Sequence, residues 1–198
     1  MKFATSIASL SVAALAGTTL AAPTPDRGQG PQPFNAANPR DVIFPQVTSQ
    51  YNVGTGAVTF NTGIGLVDKS TSDHGKDTTT LVSFSVPPYP PEFTCELVFD
   101  LAVGREVSGS ASAQAFISLA PATATTFDWP QGNQRDRQVG TLTVAAGQRA
   151  TWDLPNSTRQ FPCSQAVGRL YGGELVPTGD NDHISWVPGV DGPKIVVY

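Results

Sequence analysis

The sequence predicts an all-β protein: an antiparallel β-sandwich of the jelly-roll type, with about ten strands and one disulfide. The clearest evidence is the segment 93–103, in which apolar residues alternate with mostly polar ones. This two-residue period is that of a half-buried strand. Several shorter segments show the same period, and turns containing glycine or proline separate them. No segment combines the helical period with capping residues, so no amphipathic helix is predicted.

The chain is expected to divide into an export signal, a leader and one domain. Residues 1–21 combine Lys2, an apolar stretch over 3–16 and a small-residue cleavage site, the pattern of a secretory signal. The apolar stretch is shorter than the roughly 20 residues that span a bilayer, so no membrane insertion is predicted. Residues 22–40 are rich in proline, glycine, glutamine and asparagine and predict a disordered leader. The β-sandwich is expected over 41–198, in a protein located in the extracellular space or the cell wall.

The strands of this domain are predicted from alternation and from the turn residues between them. The first covers 42–48, where Pro45 is tolerated only at a sheet edge. A hairpin around Gly63 is expected to pair 57–61 with 64–68. The remaining strands are predicted at residues 78–86, 93–103, 113–119, 139–144, 150–154, 169–176, 183–187 and 194–198.

The two cysteines, Cys95 and Cys163, can pair within the molecule in only one way. A protein exported to an oxidising compartment is expected to form this disulfide. The bridge would contribute about 4 kcal/mol in the chain-entropy description. The alternative is two buried free thiols, since cysteine also packs as a small hydrophobic residue.

One glycosylation sequon is present, Asn156-Ser157-Thr158. It follows Pro155 in a polar segment, which is typical of an exposed acceptor site. Asn156 is therefore the predicted glycan attachment site of a glycoprotein.

The charge balance argues against nucleic acid as a partner. The chain carries a formal net charge of −4, and it contains no run of basic residues. No cofactor is predicted either, because the glycine-rich segments 54–56 and 63–65 do not open a helix as nucleotide-binding loops do.

The order of motifs in the domain resembles a known family. The segments that carry the resemblance are Leu81–Pro87, Thr94–Phe99, Gly140–Leu142, Phe161–Cys163 and Gly173–Trp186. Over roughly residues 42 to 198 the chain resembles the fungal secreted domain family of the ubiquitin-three-binding protein But-two, specifically its carboxy-terminal domain. The resemblance implies an all-β, secreted or cell-wall-associated fungal protein. It supplies no catalytic residues, and the cytosolic partner in the family's name is not expected for an exported chain.

The cluster Asp180-Asn181-Asp182 is the best local candidate for a metal site. Carboxylate and amide oxygens suit Ca²⁺, but the glycine and distant glutamate of an EF-hand loop are missing. We favour a turn in which Asp180 accepts backbone N–H bonds after Gly179. Asp180 and Asp182 are thus weak metal candidates, and no metal is predicted.

Paired carboxylates are the candidates for hydrolysis. A glycosidase needs two that face each other across a cleft. Glu96 and Asp100 share one face of the strand 93–103. The favoured interpretation is a solvated outer face, with no catalytic residues. The alternative is a secreted hydrolase of extracellular polysaccharide that uses Glu96 or Asp128.

Aromatic residues next to prolines provide the functional hypothesis. Trp129, Trp152 and Tyr89 lie near Pro130, Pro155 and the proline run 87–91. Exposed rings of this kind stack on sugar faces, although each ring is also a candidate for the core. The favoured hypothesis is a non-catalytic extracellular protein that binds cell-wall polysaccharide through these rings. A module that binds an extracellular protein is the further alternative.

Overall fold

The structure, a computed structural model, describes residues 39–123, 125–126 and 135–198. The predicted export signal and all of the predicted leader except Pro39 and Arg40 lie outside the described residues. Trp129 and Asp128 lie outside them as well. Among the described residues, no helix is both long and apolar enough to cross a lipid bilayer.

The described residues form fourteen antiparallel strands and three short 3-10 turns, Thr71–Asp73, Asn156–Thr158 and Cys163–Gln165. The strands are β1 (Asp41–Ile43), β2 (Val47–Asn52), β3 (Val58–Thr59), β4 (Gly65–Ser70), β5 (Thr78–Ser85), β6 (Thr94–Asp100), β7 (Val107–Gly109), β8 (Ser112–Ser118), β9 (Arg135–Thr143), β10 (Thr151–Trp152), β11 (Gln160–Pro162), β12 (Leu170–Pro177), β13 (Asn181–Trp186) and β14 (Gly192–Val197).

The strands make two sheets, which confirms the predicted sandwich class. The small sheet has the order β1-β14-β6-β11. The large sheet has the order β10-β9-β8-β12-β5-β4-β13-β7, with β2 paired to β5 and β3 paired to β2. The strand count exceeds about ten because β7 and β11 are each too short to show an alternating pattern. The predicted first strand is also divided at Pro45, so that β1 is an edge strand of the small sheet and β2 joins the large one.

The predicted hairpin around Gly63 is wrong. Residues Val58 and Thr59 of β3 pair with β2, and β4 pairs with β13 instead. The reason lies at Gly65, which is opposite Trp186 in β13. A Cβ atom at Gly65 would lie 1.9 Å from Trp186 Cε2, so the bare glycine backbone provides the space for the indole. Packing against a distant tryptophan therefore decides the partner of β4.

The core lies between the inner faces of the two sheets. Trp186 and Phe99 are both fully buried and meet edge to face, with ring centroids 5.3 Å apart. Cys95 and Leu101 lie on the same side of the chain as Phe99 and are buried too. The predicted core face is therefore correct at these positions, but the strand ends at Asp100, and Val103, also predicted for the core row, is 89% exposed.

The predicted disulfide is present. Cys95 in β6 is bonded to Cys163, which begins the 3-10 turn after β11. Both cysteines are completely buried, and β11 pairs with β6 next to the bond. The bond therefore fixes the edge strand β11 to the centre of the small sheet.

Candidate functional site

The predicted solvated face of β6 is wrong, because its two carboxylates are buried. Asp100 is 1% exposed, and its oxygens lie 2.9 Å from Arg149 Nε and 2.7 Å from Lys194 Nζ. Glu96 is 7% exposed and accepts from Arg159 Nη2 at 3.3 Å. Each carboxylate is thus held in an ion pair. The alternation in the sequence showed that Glu96 and Asp100 share one face of β6. It did not show that other parts of the chain cover this face.

A cavity of about 570 Å³ lies between the two sheets. Its walls are mainly apolar side chains from both sheets, among them Phe84, Leu97, Ile117, Phe161 and Tyr171. Exposed polar residues lie at its mouth, which opens beside β9 and β11, among them Arg137, Gln138, Ser157, Thr158 and Gln160. This volume falls within the roughly 300–1,000 Å³ typical of small-molecule sites.

Small residues on the inner faces explain why the sheets leave this space. Gly173 stands opposite Val82 and Ile117 in the neighbouring strands, in the inward-facing row of β12. Ala115 lies opposite Leu175, one step further along β12. A glycine and an alanine in adjacent positions leave the volume that larger side chains would fill. This pairing across strands was not visible in the sequence.

Arg159 forms the polar part of the cavity wall, and sequence analysis did not identify it. It is only 6% exposed, and its guanidinium carbon lies 4.7 Å from the centroid of the Trp152 ring. Nη1 donates to the Leu154 carbonyl at 3.1 Å, and Nη2 donates to Asn156 Oδ1 at 2.5 Å and to Glu96. Its Nε is buried and has no hydrogen-bond partner among the described residues. Burial lowers the pKa of Arg159, and the charge of Glu96 opposes this shift only in part.

Trp152 and Tyr89, the two predicted aromatic residues that the structure describes, do not form one surface. Trp152 in β10 is half-buried, packs against the core and lines the cavity beneath Arg159. Tyr89 lies against Phe93 and donates its hydroxyl to Asp41 Oδ2 at 2.5 Å. Burial, followed by this hydrogen bond, raises the pKa of Tyr89 to about 12.

The aspartate cluster after β12 forms a turn, but Asp182 rather than Asp180 is the acceptor. Asp182 is buried and accepts the backbone N–H of Thr178 at 3.1 Å, that of Gly179 and the hydroxyl of Ser110. Asp180 is exposed. The described residues contain no group of three or more histidine, cysteine or acidic side chains placed to hold a metal ion.

The histidine of β13 is paired with carboxylates. His183 Nδ1 lies 2.6 Å from Asp68 Oδ1, and Nε2 lies 3.5 Å from Glu106 Oε2. Both ring nitrogens of His183 therefore face acidic groups, of which Glu106 is largely exposed.

The sequon lies beside the cavity mouth. Asn156 is exposed and begins the 3-10 turn whose next two residues, Ser157 and Thr158, line the cavity. Its side-chain oxygen is held by Arg159, so the turn and the cavity wall are connected.

No family model matches the chain, and no curated protein matches it in sequence. The resemblance to the But-two carboxy-terminal domain therefore stays a prediction. The site is defined by its own geometry: an apolar cavity between the two sheets, with one buried arginine in its wall.

Proposed function

We propose that this protein is a secreted, non-catalytic binding module that holds an apolar ligand in the cavity between its sheets. The observation that carries the proposal is the cavity itself, about 570 Å³ with apolar walls and an open, polar mouth. An apolar cavity of only about 150 Å³ is sufficient to bind benzene. Each Å² of apolar surface that the ligand removes from water would contribute about 25 cal/mol.

The state of the carboxylates supports binding without catalysis. Hydrolysis of a glycosidic bond needs two acidic groups that are free to reach the substrate. Glu96 and Asp100 are buried in ion pairs. Glu174, which follows Gly173 in β12, accepts two bonds of 2.8 Å from Arg135 and a third from Thr79. Each of these carboxylates is thus bound to other side chains of the protein, so it is not free to contact a substrate.

The position of Trp152 favours an apolar ligand over a flat sugar surface at this residue. Arg159 lies over its ring, and the ring packs against the core. A sugar platform requires a ring face that is open to solvent. Contact of Tyr89 and Trp129 with cell-wall polysaccharide remains a hypothesis from the sequence. The predicted export signal and the buried disulfide support a location in an oxidising compartment outside the cell.

Binding can be tested with Nile red, a neutral dye that fluoresces in apolar surroundings. Wild-type protein should bind it saturably, with one dye per chain. Ile117→Trp places a larger side chain in the cavity and should weaken binding at least about tenfold, at a stability cost of about 1–3 kcal/mol. The matched control is Ile64→Trp, at a residue that is 53% exposed and outside the cavity wall.

Thermal unfolding of both variants would show that they are folded. Equal affinity of Ile117→Trp and wild type would contradict the cavity as the site. Turnover of chitin or β-glucan by wild-type protein would contradict the absence of catalysis.

A further inference from the structure

We infer that the ligand of this cavity is amphipathic, with a carboxylate that accepts a hydrogen bond from Arg159 and an apolar chain that lies between the sheets. This inference rests on the proposed function. It adds the chemical class of the ligand and the residue that selects it.

The first observation is an unused donor in a buried position. Arginine has five N–H donors. The hydrogen bonds of Arg159 to Leu154, Glu96 and Asn156 all involve its terminal nitrogens. Nε is left without a partner, although the side chain is more than nine-tenths buried. A buried donor without an acceptor is rare in folded proteins. Arg159 therefore keeps hydrogen-bonding capacity that its protein neighbours do not use, and this residue lines the cavity.

The second observation is the weak neutralisation of this arginine. Arg135 holds Glu174 through two bonds of 2.8 Å. Arg159 meets Glu96 at 3.3 Å, and the same carboxylate also accepts from Gln160 at 3.3 Å. A guanidinium that is buried and only partly compensated favours an additional anion.

The pKa shifts of Arg149 and Arg159 also indicate that Arg159 is the less well neutralised arginine. Burial disfavours the charge of Arg149, but its hydrogen bond to Asp100 raises its pKa overall. At Arg159 burial prevails and the pKa is lowered. Exposed Arg137 at the cavity mouth adds a second positive charge on the entry path. An incoming carboxylate would therefore meet positive charge at the mouth and at the wall.

The surroundings of Arg159 define the rest of the ligand. Beyond this residue the cavity is lined by apolar side chains, including Phe84, Leu97 and Ile117. A polar or sugar-like body would lose hydration there without gaining hydrogen bonds. A linear alkyl chain makes no hydrogen bonds to water that it could lose, and its burial is favourable. The cavity therefore fits a medium- or long-chain monocarboxylic acid.

The test compares decanoate with methyl decanoate as competitors of Nile red on the wild-type protein. The two share the same chain and differ in the charged acceptor. Decanoate should displace the dye at a concentration at least about tenfold lower, as expected for a hydrogen bond to a charged group. Equal displacement by acid and ester would overturn this inference and leave the proposed function intact. Absence of saturable Nile red binding would overturn both.

A double variant assigns the preference to Arg159. Arg159→Met with Glu96→Gln removes both charges together, so no carboxylate is left buried alone. The readout is the ratio of acid to ester affinity, which should fall to within about threefold. The matched control, Arg105→Met with Asp191→Asn, removes an ion pair of 2.7 Å outside the cavity wall and should keep the wild-type ratio. A wild-type ratio in the Arg159 variant would overturn the assignment. If that variant does not fold, the comparison of acid and ester on wild type decides the inference.

Discussion

The substitution Asp100→Asn tests whether Asp100 is buried in ion pairs, as in the structure, or lies on a solvated face, as the sequence analysis favoured. Asp100 accepts from Arg149 through both side-chain oxygens, at 2.9 and 3.3 Å, and lies 2.7 Å from Lys194 Nζ. The side chains of Asp100 and Lys194 are 1% and 7% exposed. Asparagine keeps the shape but removes the negative charge that compensates two cations. Breaking a buried ion pair from one side costs about 3–5 kcal/mol. On a solvated face the same change would stay within about 0.5 kcal/mol.

Urea unfolding at neutral pH measures this difference directly. The expected loss corresponds to a decrease in Tm of about 6–20 °C for a domain of this size. Asp136→Asn is the matched control at an exposed site and should change stability by no more than about 0.5 kcal/mol. Adding Lys194→Met to Asp100→Asn should recover part of the loss, because one of the two cations that Asp100 faces is removed. A loss below about 1 kcal/mol in Asp100→Asn would refute the argument.

Three further predictions concern the disulfide, the Tyr89 phenol and the sequon. Replacing Cys95 and Cys163 by alanine should cost about 4 kcal/mol, because the bond closes a loop between residues 68 positions apart; unchanged guanidinium unfolding would contradict this. Tyr89 should ionise near pH 12 in an absorbance titration, and Asp41→Asn should lower that midpoint. Since the folded state holds this proton more tightly, the contribution of Tyr89 to stability is complete below about pH 10 and is lost between about pH 10 and 12. Asn156→Gln should remove a glycan mass from protein secreted by a eukaryotic host, and an unchanged mass would show that the site is unmodified.

The sequence predicted those parts of the fold that depend on local periodicity. Alternation located β6 and its core face, and the cysteine count allowed only one internal bridge. The partner of β4 was predicted wrongly, since Trp186, more than a hundred positions away, packs against Gly65 and decides it. β7 and β11 have three residues each, too few for a period to be recognised.

The site was less predictable than the fold because it depends on pairs of distant residues. Glu96 was recognised as a carboxylate of β6, but its burial depends on Arg159, 63 positions later. The cavity depends on the coincidence of Gly173 and Ala115 on neighbouring strands, which only the strand register reveals. The one feature of the sequence that could have indicated the cavity was Gly173, a glycine in the inward-facing row of a predicted strand.

The pairing of the first strand with the last has a consequence for biogenesis. Asp41 in β1 is opposite Val197 in β14, so this edge of the small sheet joins segments made roughly 150 residues apart. Non-local pairing of this kind slows folding, because a long loop must close, at a cost in entropy, before the stabilising contacts form. The nascent chain must therefore stay unfolded at this edge until β14 has been delivered.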